Sequence, residues 1–461
     1  MQLTEHQIKI PCARDIQSLS QLIVDTDTLP QGFRPVRFIV SNSDSSGWQC
    51  EIGGVSGGSP RTLDSIFNFR KRRFENNNSF TTALLIPTGV GAEVGGHAGD
   101  AGPVAKLLGQ VSDQLILHPN VVNASDINEM PSNSFYVEGS VICQLLMGCV
   151  GLQRVHSNRV LVVIDDHKLE IFKNAAINSI NGARATYGLN CPEIICLDPP
   201  VRLRARFSDS GRAAGRVEAI AGLIEAIESR EGQYDAIAVS SVIDVPHEFH
   251  QSYFDAAGEM VNPWGGVEAI LTHSLSMMFG VPTAHSPMFE SPEIADMDPG
   301  IVDPRMAAEA VSATFMNCTL KGLQQSPKLI QDEDAMEGAD VISAKDISCL
   351  VIPDGCLGLP VLAAMEQGIK VIAVSENMNI MKNDLSQLPW QGGQFIQVKN
   401  YWEAAGVISA IRSGIAPESV RRPFGYTKVT RFQASRESPA MSEKESAILE
   451  SKNEQSNTGV N

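Results

Sequence analysis

The chain has 461 residues and a formal charge of −17, so it is too long for one ordinary core and lacks the basic footprint that nucleic acid or an anionic membrane surface requires. Apolar residues make up 43% of it, enough to fill a sizeable core. Nine scattered cysteines with no CxxC pair match a reducing setting, which points to a cytoplasmic protein.

Residues 1–25 are polar and charged throughout, without the apolar run of a secretory leader, and Val137–Leu152 is interrupted by Glu138 and glycines, as suits a buried helix better than a membrane span. Residues 1–78 read as a small α+β module. Ile16–Ile23 is helical, and Val36–Val40 with Trp48–Ile52 forms a hairpin across a Ser- and Asn-rich turn. The basic run Arg70–Arg73 reads as a solvated or partner-facing surface.

From residue 79 to about 430 the pattern alternates strands with helices. Predicted strands are Ala83–Ile86, Gln114–Leu117, Val160–Ile164, Glu193–Leu197, Ala236–Val239, Cys349–Ile352 and Lys370–Val374. Predicted helices are Pro103–Val111, Gly139–Val150, Glu170–Tyr187, Arg212–Glu228, Gly266–Met278, Arg305–Leu323 and Pro360–Gln367. The expected class is therefore α/β, with mostly parallel, Rossmann-like sheets covered by helices on both faces, arranged in one body or two lobes. Residues 431–461 are too polar to offset their ordering entropy and read as a disordered tail.

Three stretches carry chemistry. The first strand opens into Thr88–Asp100, where Gly89, Gly91, Gly95 and Gly96 let the backbone approach a ligand and the following helix start offers N–H groups to an anion. His97 and Asp100 lie in this loop and His118 ends the next strand, so the three can converge at one sheet edge as a base with its orienter. No HxH or HExxH spacing supports a metal, and none is assigned. Asn120 and Asn123 supply short hydrogen-bonding groups beside His118, and Glu138 opens the next helix.

The second stretch, Val245–Met288, holds His247, His250, Glu268, His273 and His285. His247 and His285 lie beside prolines in loops and are assigned to the site, whereas mid-helix His273 reads as a satisfied core residue. Asp209–Arg216 resembles a Ser/Gly helix start with nearby guanidinium groups, suited to a second anion. The third stretch, Cys349–Gly358, repeats the strand–Pro–polar–Gly logic of Ala83–Gly91 and puts Asp354 and Gly355 at the same crevice.

Two resemblances extend this. Gly358–Gly368 followed by Val371–Val374, with Gly95-Gly96-His97, resembles the nucleotide segment of two-lobed (GT-B) glycosyltransferases and sugar-nucleotide epimerases, with Ala363 where those enzymes carry a ribose-binding glutamate. Ile86–Ala92, Gly95–Ala105, His118–Asn123 and Tyr136–Gly139 together resemble the family catalogued as domain of unknown function 3326, over Thr82 to about Lys428. That family implies a soluble, compact protein and carries no activity.

The expected function is an enzyme acting on a small anionic metabolite, phosphorylated or carboxylated. His97, Asp100, His118, His247 and His285 are its acid–base candidates. Thr88, Gly89, Gly91, Gly95, Gly96, Asn120, Asn123, Glu138, Glu268, Asp354 and Gly355 are its ligand contacts. The cofactor is unknown, nucleic acid and membrane are not expected partners, and a homo-oligomer is compatible with the sequence. The alternatives are a non-catalytic ligand-binding regulator and a sugar-nucleotide-dependent glycosyltransferase or epimerase.

Overall fold

The hydrophobic runs that read as buried strands form a parallel sheet. In the computed structural model, which describes residues 1–58, 61–122, 128–312 and 315–433, its order is Phe395–Val398, Lys370–Val374, Ile347–Pro353, Thr81–Leu84, Gln114–Leu117 and Ser134–Tyr136. Every neighbouring pair in this sheet is parallel. Strands covered on both faces need apolar side chains at successive positions rather than in alternation, as in Leu350-Val351-Ile352 and Val371-Ile372-Ala373, all buried.

A second, larger sheet has ten strands among the described residues and is mixed. The hairpin of Arg34–Asp44 and Gly47–Ser56 pairs onto Gln2–Ile10, which pairs in turn with Ala213–Glu218, all antiparallel. The sheet becomes parallel where Arg202–Phe207 meets Ala236–Asp244, which is flanked by Val160–Asp165 and Thr283–Met288. The expectation of mostly parallel sheets therefore holds for the smaller sheet and fails for the larger, and the architecture is mixed α/β. The N-terminal strands are built into this sheet, and Met1–Gly414 forms one compact unit.

Several predicted elements match closely. The helix Glu170–Tyr187 closes at Gly188, which takes a left-handed φ of 71° that an L side chain resists. Gly139–Leu146 is shorter than predicted because Gly148 turns the chain at φ 75°. The predicted helix Arg212–Glu228 is instead a strand, Ala213–Glu218, followed by a helix, Ala221–Glu228. Pairing on both edges of that strand outweighs the helical propensity of Ala213 and Ala214. The predicted helix Arg305–Leu323 is divided into Ala307–Ala310 and Phe315–Gln324.

Among the described residues no helix is long and apolar enough to cross a membrane. The predicted tail lies outside the described residues from position 434 onward. Arg72 of the basic run is structural: its guanidinium donates to the carbonyls of Ile347, Gln367 and Gly368, closing the C-terminal end of the helix Leu359–Gln367.

One helix joins the two sheets. Gly265–Phe279 packs on strands of the mixed sheet and against the helix Gly139–Leu146, which follows the last strand of the parallel sheet. From its middle His273 reaches Glu138, which follows the last parallel strand, and nearer its start Glu268 meets His285 of the mixed sheet.

Candidate active site

Three neighbouring strands of the parallel sheet, Thr81–Leu84, Gln114–Leu117 and Ser134–Tyr136, end on one edge and deliver Thr88 to His97, His118 with Asn120, and Glu138 respectively. Ligands bind at such carboxyl ends because the loops leaving parallel strands collect there. The opposite wall comes from the joining helix, the strand Thr283–Met288 and the helix His247–Asp255. Between them lies a cavity of about 340 Å³.

His118 is buried, and burial pushes its pKa down to about 3, so the ring is neutral at physiological pH. Its Nδ1 accepts the Asn120 N–H at 3.2 Å, which leaves the proton on Nε2. A methyl group on Gly139 would lie 2.9 Å from His118 Nε2 and 3.2 Å from His273 Nε2, so the two imidazoles converge over this glycine. Gly139→Ala is expected to force the rings apart and cost about 1–3 kcal/mol of stability. Urea denaturation measures this, and an unchanged midpoint would show that the rings yield freely.

Glu138 accepts from His273 Nε2 at 2.9 Å through one oxygen, and from the Ser140 N–H at 2.9 Å and the Ser140 hydroxyl through the other. Burial alone would raise its pKa, but the contacts with His273 and Ser140 outweigh it and hold the carboxylate below its ordinary range. His273 Nδ1 is buried without a hydrogen-bond partner. The ring thus resembles a carboxylate-oriented base, with one nitrogen fixed and the other bearing a free lone pair.

On the far wall His285 Nδ1 meets Glu268 Oε1 at 2.8 Å and its Nε2 meets the Ser241 hydroxyl at 2.7 Å. This is the connectivity of a serine–histidine–carboxylate relay, but Ser241 is fully buried within the strand Ala236–Asp244 and does not line the cavity.

His97 is also buried, and its partner is Tyr253 rather than Asp100: Nδ1 lies 2.7 Å from the Tyr253 hydroxyl, which donates to Glu309 at 2.9 Å. Asn262 donates to both Tyr253 and Glu309. Burial, with the positive charge of Arg305, lowers the His97 pKa, and burial raises that of Glu309.

The glycine loop turns as expected, with Gly89, Gly91 and Gly95 at φ 79°, 60° and 80°. Four of its N–H groups are nevertheless engaged inside the protein: Glu93 donates to Met378 O, Val94 to Asn377, Gly95 to Asp100 and Ala98 to Glu309. Two of these acceptors are carboxyl groups, which an anion would have to displace to reach the Gly95 and Ala98 N–H groups. None of the cavity's described lining residues is a lysine or arginine. The second expected anion site is filled in the same way, since Ser208, Ser210 and Arg212 all bond Glu51.

Burial raises the Asp100 pKa from 3.8 to about 7. A carboxyl that holds its proton more tightly when folded contributes fully below its unfolded pKa, and the contribution falls as pH rises from 3.8 through about 7. Asp100→Asn keeps an oxygen for the Gly95 N–H and removes that loss, so the variant should be about 1–2 kcal/mol more stable than wild type at pH 8 and equal to it near pH 3.5. Asp165, raised for the same reason, leaves part of the decline in place. Paired denaturation curves at the two pH values check this, and a difference independent of pH would refute it.

Of the expected residues, Thr88, Gly89, Gly96, His97, His118, Asn120, Glu138, Glu268 and His285 line the cavity. Gly91, Gly95 and Asp100 support the loop from outside it. His247 is exposed on its helix, one turn from His250, which takes the cavity position instead. Asp354 caps its own loop by accepting from Gly355 at 2.9 Å and from Gln397 at 2.5 Å, and neither Asp354 nor Gly355 lines the cavity. Asn123 lies outside the described residues. Sequence reasoning missed Tyr253, Asn262 and Glu309 and placed His273 in the core. Among the described residues no three His, Cys, Asp or Glu groups form a metal set.

A protein of Synechococcus sp. described as an uncharacterised lipoprotein is 32% identical over 350 residues, which cover 74% of this chain and 93% of that one. No solved structure matches. The lipoprotein description corrects the cytoplasmic placement. None of the nine cysteines is joined in a disulfide, but a chain long enough to build a large core needs no disulfides in any compartment, so their spacing is a poor guide. Residues 81–421 match the family described as protein of unknown function (DUF3326), the one indicated by the glycine loop and the His118 and Tyr136 motifs, and the protein belongs to it.

Proposed function

We propose that the protein is an enzyme that moves a proton on a small oxygenated molecule, with His273 as general base and His118 as hydrogen-bond donor. The observation that carries this is the pairing of His273 Nε2 with Glu138 while His273 Nδ1 has no partner. A carboxylate that fixes the proton on one ring nitrogen leaves the other basic, as proton abstraction requires. His118, neutral and protonated on Nε2 beside the same glycine, would donate to the oxygen on which negative charge develops. A neutral imidazole suits this role because it loses no proton to bulk at physiological pH.

The Glu268–His285–Ser241 chain stiffens the far wall and presents Glu268, which is partly accessible, to a hydroxyl or amine of the substrate. The test needs no prior substrate. The protein is incubated with a metabolite extract in deuterium oxide and mass spectra are searched for compounds that take up deuterium. Wild type should label at least one compound and His273→Asn should not. Labelling that is absent, or equal in both proteins, would overturn the proposal.

A further inference from the structure

The cavity changes character between its deep end and its mouth. The deep end is polar: His118 and Glu138 are buried and stand beside Gly139 and His273. The outer part is apolar, with Phe172, Ala176, Met288, Phe289, Ile294 and Met316 in its lining. Phe289 is 40% exposed, so this part opens to the surface.

The apolar wall has a local cause. The helix Glu170–Tyr187 buries Phe172, Ala176, Ile180 and Ala183, a single stripe at helical spacing. Ile180 and Ala183 pack in a core with Val160, Val162 and Ala236. At the other end of the stripe Phe172 and Ala176 line the cavity, and the small side chain of Ala176 leaves room there. Phe172 meets Phe289 with ring centroids 6.3 Å apart, and Ile171, next to Phe172 in the chain, is 65% exposed. Apolar side chains left in water beside a cavity opening mark a place where an apolar ligand can cover them.

The lining charges decide against an anionic ligand. The carboxyl groups in the lining are those of Glu138, Glu268, Glu290 and Glu309, and with no lysine or arginine among the described lining residues a further negative group would be buried uncompensated.

We infer that the substrate of the proposed enzyme is a medium-chain carbonyl compound without an anionic group, its carbonyl end at His118 and His273 and its alkyl chain running past Phe172 and Phe289 to the surface. The inference rests on the proton-transfer reading for the roles of the two histidines, but the binding of the chain does not. A cavity of about 150 Å³ takes the six carbons of benzene, so 340 Å³ takes roughly fourteen non-hydrogen atoms. Nonan-2-one, with ten, fits with room at the mouth.

The test measures pentan-2-one, heptan-2-one and nonan-2-one by calorimetry on the full chain. Affinity should rise about fourfold with each CH₂ added. Octanoate, the isostere of nonan-2-one with a carboxylate in place of the methyl ketone, should bind at least about tenfold more weakly than the ketone. Phe289→Asp, at a half-exposed position, should weaken nonan-2-one at least about tenfold and pentan-2-one by less than about twofold, whereas Phe289→Leu should keep the gradient. Crystals soaked in 9-bromononan-2-one should show the bromine beside Phe172 and Phe289. If Phe289→Asp does not fold, the gradient in wild type and the bromine position decide alone. Affinity independent of chain length, octanoate binding as tightly as the ketone, or bromine elsewhere would overturn the inference. Ketones that bind with the gradient and exchange no α-hydrogen in deuterium oxide would keep the chain site and sink the proton-transfer reading. Exchange on other compounds with no gradient among the ketones would do the opposite.

Discussion

Replacing Arg212 with methionine lowers the stability of the protein by about 3–5 kcal/mol in urea unfolding, one of the largest losses expected from any single substitution. Arg212 is 1% exposed and sits between two buried carboxylates, with Nε 2.6 Å from Glu51 and Nη2 on Glu5. Methionine fills much of the volume but leaves both glutamates facing Arg37 as their remaining cation, at 3.6 Å from Glu5. The loss comes from uncompensated burial of charge, so replacing Arg212, Glu5 and Glu51 together with apolar residues should recover most of it.

The sign of the pH dependence separates this from simple loss of packing. In the native protein, burial raises the Glu51 pKa, but Arg212 and the Ser208, Ser210 and Arg212 hydrogen bonds outweigh it and the pKa is lowered. A lowered carboxyl contributes stability above its unfolded pKa of 4.5, and loses it as pH falls. Without Arg212 burial dominates, the Glu51 pKa moves above 4.5, and the variant instead loses stability as pH rises. The deficit relative to wild type should therefore be largest near pH 8 and shrink near pH 4. A pH-independent deficit, or one below about 1 kcal/mol, would show that Arg37 already neutralises the pair.

The same cluster explains what the sequence could and could not reveal. Local signals were legible: the apolar runs of the parallel strands, the Glu170–Tyr187 helix with its terminal glycine, the turn-forming glycines after Ile86, and the placement of His118 and Glu138 at strand ends. Donor-rich segments were legible too, at Gly95–Ala98 and at Asp209–Arg216. What remained hidden was whether those donors were already filled, because the acceptors come from far along the chain: Glu309 lies 211 residues from Ala98, and Glu51 lies 161 from Arg212. An internal carboxylate and a bound anion leave the same local signature.

Position along an element was a poor guide for the histidines as well. His273 looked like core because it lies mid-helix, and its partner Glu138 comes from the end of another sheet's strand. His247 looked exposed to ligand because it follows a proline, yet that proline begins a helix whose inner face is His250 and Tyr253. In both cases the surroundings of the side chain come from residues far along the chain, which local position does not reveal.

Glu138→Gln tests that pairing most directly, and it is expected to slow deuterium exchange by roughly 10²–10⁴-fold with little change in fold. The glutamine oxygen can still accept from the Ser140 N–H, whose bond to Glu138 caps the helix Gly139–Leu146. Its NH₂ group then faces His273 Nε2, where wild type places a carboxylate oxygen. Two donors cannot share that contact, so the His273 proton must move to Nδ1, and the lone pair that served as base is lost. The exchange of tautomers is observable without any substrate: ¹⁵N NMR should report the His273 proton on Nε2 in wild type and on Nδ1 in the variant. Loss of a charge-assisted bond should cost about 1.5–3 kcal/mol, which thermal unfolding can separate from the rate effect. If the variant keeps the Nε2 proton, or changes tautomer and still exchanges at the wild-type rate, the base must be sought elsewhere in the cavity. His97 would be the next candidate, because its Nδ1 bond to Tyr253 ties it to the buried carboxyl of Glu309.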